Sequence, residues 1–498
     1  MKLYSLLKYG SFMYKIILCI WFLIILIFAL ISYRHSIFHA FDSGLYLQLA
    51  INFWKEGSFA SSLVRENMYL SHHFQPTYYL FAPLIAQIPT SFSLAVLSLL
   101  MWVISILVLI RTEKKYDSYF WMVNFIFLLH PAIWVSVTYN FTPEVLAVPV
   151  YLWLGQRYVS GKSIRLWKYI LALLWCGGCK ENFILTNVTL SFLFLFKEEK
   201  KWIHGLIIFS QIAFFIFIFF FWMPENRSSP SYYPFSFFSR LDQNIAMALL
   251  KNFFSIQTLV FIFVFLIGAH WIAVFRPRAI FIAALPSLGM IMSARSPQVK
   301  FIANHYILGV LPFLWVNALQ NRESFKKLPY YVHRFLRRWS IVLSLVVLIL
   351  YSNVLDRSYQ MYKNPRTTYF QRDTRAFYTQ YIQEPDLLFI DGILQPYIPE
   401  HNNSQLLLSF WGNPVRITQE QLNSSFYVLT TEDLINLSDC REVYIANGNI
   451  PAFYHDFEKI CQVVKERGLV LETYSESRLY AFYIRALNPR SFFESIVH

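Results

Sequence analysis

The sequence predicts an α-helical polytopic membrane protein of about eleven transmembrane helices, followed by a C-terminal extracytoplasmic α/β domain. Three observations lead to this prediction. The 498 residues are 56% hydrophobic and only 14% charged. Apolar runs of roughly twenty residues, the length that spans a bilayer, recur along the chain. After residue 352 the composition becomes polar and mixed. We therefore divide the chain into a multispanning domain, residues 1–352, and a second domain, residues 353–498.

The net charge of +14 has a membrane explanation. The Lys and Arg residues lie in short loops between apolar runs, and such loops mark the cytoplasmic side of a bilayer. We therefore expect the lipid bilayer, and not a nucleic acid, as the partner of this charge. The pattern predicts a multi-pass protein of the cell inner (plasma) membrane, with a cytoplasmic N-terminus and an extracytoplasmic C-terminal domain.

The predicted spans alternate in direction, so that the basic loops all fall on one side. A missed span would invert the direction of every span after it. The predicted spans are residues 16–32, 91–110, 119–137, 144–158, 166–179, 183–196, 203–222, 255–275, 279–293, 304–319 and 340–352.

The first outer loop, residues 34–90, carries Asp42 near its start and the pair His72 and His73 near its end. The apolar residues between them have the spacing of a short amphipathic helix that lies along a membrane surface. An acid and two histidines at this boundary suit the binding or deprotonation of a polar substrate. The alternative is a solvated loop in which Asp42 only caps the helix that follows it. Both interpretations remain open from the sequence.

Further acids, bases and cations lie at the outer ends of the predicted spans. Charge at membrane depth costs several kcal/mol unless it is paired or wetted, so each such residue is a functional candidate. Helix capping by the glutamate at the start of a span, and ion pairs between loops, are the structural alternatives. The candidates are Glu144, Lys180, Glu181, Arg295, Lys300, His305 and Tyr306.

The cysteines predict neither a metal centre nor a redox motif. Cys176 and Cys179 have the spacing of a redox pair, but they lie in an apolar segment, and we interpret them as packing residues. Cys440 and Cys461 either form a disulfide outside the membrane or remain as thiols. We predict no cofactor and no required metal.

The terminal domain has strand-like runs separated by helix-like stretches, of which residues 452–467 are the clearest. Glycine-rich phosphate loops and nucleophile elbows are missing from its sequence. We therefore interpret this domain as a lid or an assembly surface. Its strand-like runs are residues 387–390, 426–429, 443–445, 469–473 and 479–484.

Short motifs in a fixed order give the chain a family resemblance. It resembles the prokaryotic integral membrane family called domain of unknown function 2079. The sequence departs from that family at Asn140 and Thr142, where the family tends to carry Asp and His, so we expect no metal or acid–base role for this turn. The motifs are Phe41-Asp42-x-Gly44, His73-Phe74-x-Pro76, His130-Pro131, Phe141-x-Pro143-Glu144, Lys180-Glu181 and His305-Tyr306.

The layout of this family resembles that of the GT-C glycosyltransferases. The resemblance implies transfer of a sugar from a polyprenyl-phosphate-linked donor to an acceptor on the extracytoplasmic face. It makes Asp42 the general base that deprotonates or orients the acceptor hydroxyl. The other candidates would bind substrate: the cations would stabilise the leaving phosphate, and the histidines would bond to phosphate or sugar.

Two other classes of function fit the same sequence. A transporter or lipid flippase would also carry charge near the membrane and broken helices. A non-catalytic membrane scaffold would use the terminal domain to bind a partner, and Asp42 and Glu181 would then be dispensable. The sequence identifies neither the sugar nor the acceptor.

Overall fold

In the computed structural model, helices dominate the described chain up to residue 352, and strands form the described part after it. The structure describes residues 16–31, 40–61, 68–112, 117–138, 141–197, 201–226, 244–266, 271–295, 300, 305–352, 387–390, 407–409, 426–430, 470–476 and 479–485.

The helices are numbered in chain order, with short 3-10 segments between several of them. These segments are Tyr69–Ser71, Pro76–Phe81, Pro143–Ala147, Ala279–Ala284 and His305–Gly309. The helices are α1 (Ile16–Ile31), α2 (Ala40–Glu56), α3 (Ala82–Gln87), α4 (Ser91–Thr112), α5 (Ser118–Leu128), α6 (Pro131–Thr138), α7 (Val148–Ser160), α8 (Leu166–Gly177), α9 (Phe183–Leu195), α10 (Lys201–Ile216), α11 (Met223–Glu225), α12 (Ile245–Phe253), α13 (Ile256–Phe265), α14 (Trp271–Val274), α15 (Leu285–Ser293), α16 (Leu311–Gln320), α17 (Arg322–Lys326) and α18 (Tyr330–Tyr351).

Two continuous helical segments of the described chain, α4 and Lys201–Glu225, are long and apolar enough to cross a membrane. Two bent pairs, α5 with α6 and α12 with α13, also qualify if each pair is one span, which makes up to four. The first pair bends by 53° at His130-Pro131, because a proline inside a helix removes a backbone hydrogen bond and clashes with the preceding turn. The polytopic helical character agrees with the sequence, and the larger number of spans stays a prediction.

The chain forms two compact units. One comprises Met1–Ser32, Leu70–Phe81 and Leu94–Gln360; the other comprises Tyr33–Tyr69, Ala82–Ser93 and Met361–His498. The predicted domain boundary after residue 352 stays a prediction.

Helix α16 lies at the centre of the first unit. Its residues from Leu311 to Leu319 are all buried, and such a helix is stable only when it is surrounded by other elements. Its Trp315 is fully buried, stacks on Phe127 with ring centroids 5.2 Å apart, and donates from Nε1 to Asn124 Oδ1 at 3.0 Å. Tyr119 donates its hydroxyl to the carbonyl of Ala318 at 2.7 Å. Each polar atom of these large rings therefore has a partner inside the core.

Helix α10 presents large apolar side chains to the outside. Phe209 is 72% exposed, and Leu206 and Phe214 are also exposed. A continuous apolar surface of this kind marks contact with a partner or with lipid. In a chain of this composition, the face of α10 is suited to the hydrocarbon of a bilayer.

In the second unit, α2 is the helix that the sequence predicts in the first outer loop, and it packs against α3. The loop after α2 folds back onto it, since Asn52 donates to the carbonyl of Ala60 at 3.1 Å and Ser61 donates to Gln48 at 2.9 Å.

The described strands of this unit form a five-stranded mixed sheet of order β2-β1-β3-β5-β4. Strand β1 is parallel to β2 and β3, whereas β5 is antiparallel to β3 and β4. The strands are β1 (Leu387–Ile390), β2 (Leu407–Ser409), β3 (Phe426–Thr430), β4 (Val470–Glu476) and β5 (Leu479–Arg485).

Four of these strands lie where the sequence has strand-like runs, and β2 has no predicted counterpart because it is only three residues long. The predicted strand 443–445, the predicted helix 452–467 and the pair Cys440 and Cys461 lie outside the described residues. The α/β class of the terminal domain therefore stays a prediction. Parallel pairs such as β1 with β3 do require crossover connections, which are helical in most proteins.

Candidate functional site

Five of the predicted candidates come together in the first unit, although they are far apart in the sequence. All of them lie in turns or 3-10 segments next to helix ends, where side chains are not needed for helix packing. We call them the polar cluster: His73, Glu144, Lys180, Glu181 and His305.

The buried part of the polar cluster is centred on Glu144, in the 3-10 segment before α7. Its Oε1 lies 3.4 Å from Lys180 Nζ and 3.6 Å from His305 Nε2. The side chains of Glu144 and Lys180 are 2% and 4% exposed. Neither charge could stay ionised at this depth without the other, so the two form a buried ion pair. The sequence left helix capping open for Glu144, and the structure shows the residue in the first turn of its 3-10 segment in addition to this ion pair.

Two further features complete this part of the cluster. Lys180 Nζ lies 5.7 Å from the ring centroid of Tyr306, within the range of a cation–π interaction. The Tyr306 ring in turn packs against His305, with centroids 4.4 Å apart. Both carboxylate oxygens of Glu144 are buried, and neither has a hydrogen-bond donor of good geometry within the described ranges. The contact with Lys180 is therefore mainly electrostatic.

The more accessible part of the polar cluster is the pair His73 and Glu181. Glu181 Oε1 lies 3.2 Å from His73 Nδ1, and the backbone N–H of Phe74 donates to Glu181 Oε2 at 3.1 Å. An ionised carboxylate only accepts, so the ring carries its hydrogen on Nδ1 and its lone pair on Nε2. The His73 side chain is 30% exposed, so solvent reaches this ring.

The charge state of Glu181 follows from its neighbours. Burial would raise the pKa of its carboxyl group, but the electrostatic effect of nearby Lys180 and His73 and the hydrogen bond from His73 lower it from 4.5 to about 2. Glu181 is therefore ionised at neutral pH and acts as a fixed acceptor. Its role is to hold the histidine, because so weak a base takes no proton from a substrate at that pH.

A close backbone approach at Gly178 brings His73 to Glu181. Thr77 donates its N–H to the carbonyl of Gly178 and its hydroxyl to the carbonyl of Trp175, both at 2.9 Å. A Cβ atom on Gly178 would overlap the Thr77 hydroxyl and would lie 3.3 Å from Pro76 Cγ. Glycine is therefore required for the segment that follows His73 to lie against the end of α8.

Similar contacts fix the other two turns of the cluster. Trp175 donates from Nε1 to the carbonyl of Leu146 at 2.9 Å, which ties the segment of Glu144 to α8. A Cβ on Gly309 would lie 2.6 Å from Ser287 Oγ and 2.7 Å from Phe183 Cε1. The segment that begins at His305 therefore packs closely on α9 and α15.

An apolar cavity of 660 Å³ adjoins the polar cluster. It lies among α8, α9 and α10, and we call it the apolar groove. Phe74 joins the two features: its backbone bonds to Glu181, and its side chain lines the groove and contacts the Phe214 ring, with centroids 5.7 Å apart. Other lining residues are Pro76, Leu174, Ile184, Leu206 and Phe214.

The other predicted site residues lie elsewhere. Asp42 is in the first turn of α2, in the second unit, and its side chain lies outside the described residues. Its role as the base stays a prediction. The ring of His72 packs edge-on against His73, with centroids 4.9 Å apart. Arg295 is exposed just beyond α15.

Lys300 has contacts that indicate a structural role. Its ammonium donates to the carbonyl of Asn252 at 2.6 Å and to Ser255 Oγ at 2.8 Å. These two acceptors lie where α12 ends and α13 begins, at a bend of 48°. A cation at the C-terminal end of a helix satisfies a carbonyl that has no partner within the helix. Its predicted role in substrate binding stays a prediction.

The two cysteines with redox-type spacing behave as packing residues. Cys176 and Cys179 are fully buried as free thiols, and Cys179 Sγ contacts the carbonyl of Trp175 at 3.2 Å. Within the described ranges, no group of three His, Cys, Asp or Glu side chains is arranged to hold a metal ion.

The fold is similar to that of a solved membrane protein. Its coordinates superpose on the crystal structure of ArnT from Cupriavidus metallidurans bound to undecaprenyl phosphate with a TM-score of 0.52. The comparison covers 94% of this chain and 97% of that one, at 11% sequence identity. At this identity the likeness concerns the fold alone.

The sequence matches one protein family. Comparison with curated proteins finds no match. The model of a membrane protein family matches residues 34–433, which is most of the chain. The chain therefore belongs to the family of predicted membrane proteins called domain of unknown function 2079 (DUF2079).

Proposed function

We propose that the protein is a GT-C-like membrane glycosyltransferase, which transfers a sugar from a polyprenyl-phosphate-linked donor to an acceptor on the extracytoplasmic face. One observation carries the proposal: Phe74 connects the polar cluster and the apolar groove, because its backbone N–H bonds to Glu181 and its side chain lines the groove. A lipid-linked donor needs both surroundings at once, since its phosphate is charged and its tail is apolar. The fold likeness to a protein crystallised with undecaprenyl phosphate supports the same class of donor.

The apolar groove suits the tail of such a donor. Its volume of 660 Å³ is within the usual range of ligand cavities. One wall is α10, whose other face carries exposed apolar side chains such as Phe209. A polyprenyl chain that enters sideways from the bilayer stays in apolar surroundings throughout.

The polar cluster suits the phosphate and the proton transfer. Lys180 supplies a positive charge for the phosphate of the donor. The His73–Glu181 pair supplies an accessible imidazole that is oriented for proton transfer.

In the proposed reaction, the acceptor hydroxyl loses its proton to a base and its oxygen forms a bond to the anomeric carbon of the sugar. The bond from that carbon to the donor phosphate breaks, and the polyprenyl phosphate leaves with the electron pair. The family resemblance gives the role of base to Asp42. The geometry supports His73 for the same role, because Glu181 orients its ring with the lone pair on Nε2, as a carboxylate orients histidine in many hydrolases.

A transporter or lipid flippase is the second candidate. The observation that favours it is the pair of bent helices, α5 with α6 and α12 with α13, because discontinuous helices often surround the substrate sites of transporters. The position of the polar cluster at helix ends, and not within the spans, favours the enzyme.

The test is to assay the purified full chain in two formats. In detergent, labelled sugar is followed from a panel of undecaprenyl-phosphate-linked donors to hydroxyl acceptors, and in liposomes, the donor is followed across the bilayer. If the protein is the proposed enzyme, we expect sugar transfer by the wild type and less transfer by Asp42→Asn or His73→Gln. Glu225 is an exposed glutamate beyond α10, so the control variant Glu225→Gln should retain the wild-type rate. Translocation of the lipid without any transfer would favour the flippase. Inactivity in both formats would favour the scaffold.

A further inference from the structure

A second cavity, of 630 Å³, lies at the other ends of the helices that carry the polar cluster. It is formed where α7 ends, α8 begins, α9 ends and α10 begins. Lys180 and Glu181 connect the opposite ends of α8 and α9, which are about 18 Å long at 1.5 Å per residue. The charge pattern of the sequence predicts that this second cavity faces the cytoplasm.

The polar lining of this cavity is basic. Its side chains include Arg157, Lys162, Lys197 and His204, and none of the described lining residues is acidic. The nearest carboxylates in the sequence, those of Glu198 and Glu199, lie outside the described residues. Several like charges around one cavity repel each other, so an anion that enters it is stabilised.

Compensation of helix ends explains one of these cations, Lys197, but does not explain Arg157. Basic residues near the C-terminal end of a helix often compensate its carbonyl groups. Lys197 does so, because its Nζ donates to the carbonyl of Tyr158 at 2.7 Å and lies 3.9 Å from the centroid of the Tyr158 ring. Arg157 does not: its guanidinium lies 5.8 Å over the ring of Trp153, and its buried Nε has no hydrogen-bond partner among the described residues.

Lys162 is an exposed cation of the cavity. Gly161 ends α7 in the left-handed conformation, with φ 63°, and Lys162 follows it with its N–H bonded to the carbonyl of Arg157 at 3.3 Å. The turn therefore brings Lys162 back beside Arg157, and its side chain is exposed. Arg157 and Lys162 thus line the same cavity, and within the described residues neither side chain forms an ion pair with a carboxylate.

The rest of the lining is apolar and suits a lipid. Leu166, Phe194 and Ile203 contribute to it, and Ile203 also lines the apolar groove. Basic pockets between helices on the cytoplasmic side of membrane proteins bind anionic lipid headgroups. We infer that this cavity, with Arg157 and Lys162, is a binding site for the phosphate group of an anionic ligand, such as an anionic phospholipid of the inner leaflet.

Binding to delipidated full-length protein in detergent tests the inference, with phosphatidylglycerol as the anionic probe and phosphatidylcholine as the zwitterionic one. Native mass spectrometry reports both. We expect phosphatidylglycerol to bind more tightly, and either Lys162→Ala or Arg157→Gln to weaken it roughly fivefold. The control is Lys168→Ala, which removes an exposed charge from α8 outside the cavity and should leave the affinity nearly unchanged.

The outcomes separate the possible sources of the phosphate. Displacement of the lipid by glycerol 3-phosphate, with the same dependence on Lys162, would show that the phosphate alone is recognised and that a free anion suffices. Binding of phosphatidylglycerol without such displacement would identify the lipid as the ligand. Equal binding of both lipids, or an equal effect of Lys168→Ala and Lys162→Ala, would overturn the inference. Because Lys162 is exposed, its variant keeps the test valid even if Arg157→Gln does not fold.

Discussion

Glu181 binds His73 and its neighbour at the same time: one carboxylate oxygen lies 3.2 Å from His73 Nδ1, and the other accepts the N–H of Phe74 at 3.1 Å. This arrangement fixes both the ring and the backbone that carries it. Two residues 108 positions apart in the sequence thereby define the orientation of the histidine. The orientation, and not the presence of either residue alone, is what makes the pair a candidate for catalysis.

We expect Glu181 to make the free energy of unfolding depend on pH. The pKa of its carboxyl group is lowered in the fold from 4.5 to about 2, so its stabilising contribution is complete above pH 4.5 and is lost as the pH falls towards 2. The shift corresponds to about 3 kcal/mol of unfolding free energy. Thermal unfolding in detergent should therefore depend on pH more steeply in this window for the wild type than for Glu181→Gln. Equal slopes would contradict the contact.

We expect a side chain at Gly178 to displace the segment of His73 and to destabilise the protein. Gly178→Ala places a methyl group against the Thr77 hydroxyl, and the shift needed to relieve it moves the segment of His73 away from Glu181. Overpacking of this kind costs roughly 1–3 kcal/mol, which would appear as a lower unfolding temperature. Gly205→Ala in α10 is the matched control, because nothing lies within 4 Å of its added Cβ. It should be neutral or slightly stabilising.

We expect substitutions of the buried pair Glu144 and Lys180 to have non-additive effects on the free energy of unfolding. Glu144→Gln or Lys180→Met alone breaks the buried ion pair, at a cost of about 3–5 kcal/mol. The double variant removes both charges and should be less destabilised than the sum of the single variants. Measured unfolding free energies or temperatures of all four proteins test this. Additive losses would mean that the two side chains do not interact.

We expect the loss of the Lys300 ammonium group to lower the stability of the protein without lowering the rate of sugar transfer. Lys300→Met removes the bonds to Asn252 and Ser255, each of which contributes roughly 1–3 kcal/mol as a charged hydrogen bond. The protein should unfold at a lower temperature while the folded fraction keeps its transfer rate. Lys251→Met, an exposed lysine of α12, is the control. A lower transfer rate at unchanged stability would support the substrate-binding role predicted from the sequence.

The sequence predicted well those features that depend on local composition. The helical class follows from long apolar runs, and α4 was predicted within two residues at its C-terminal end because it is uniformly apolar between polar flanks. The hairpin of α8 and α9 was also predicted, with Lys180 and Glu181 in its turn. The positions at which helices are interrupted were less well predicted. A single span was expected over residues 119–137, where His130-Pro131 divides the segment into α5 and α6.

Long-range pairing could not be predicted from one sequence. The outer-rim position of Glu144, Lys180 and His305 was proposed from charge at span ends, but nothing in the sequence indicates that Glu144 contacts both of the other two. That contact depends on how α7, α8 and α16 pack. The groove beside Phe74 was missed for the same reason, since its lining residues have the composition of any apolar helix. Gly178 was the available signal, as a glycine pair next to an apolar helix indicates close packing.

The most direct test of the central claim is the rate of sugar transfer from undecaprenyl-phosphate-linked donors by His73→Gln, compared with Glu225→Gln and the wild type. We predict that the loss of this histidine lowers the transfer rate per folded protein by about 10²-fold or more at neutral pH, while Glu225→Gln retains the wild-type rate. Transfer by His73→Gln at the wild-type rate would contradict the claim that the His73–Glu181 pair serves the reaction.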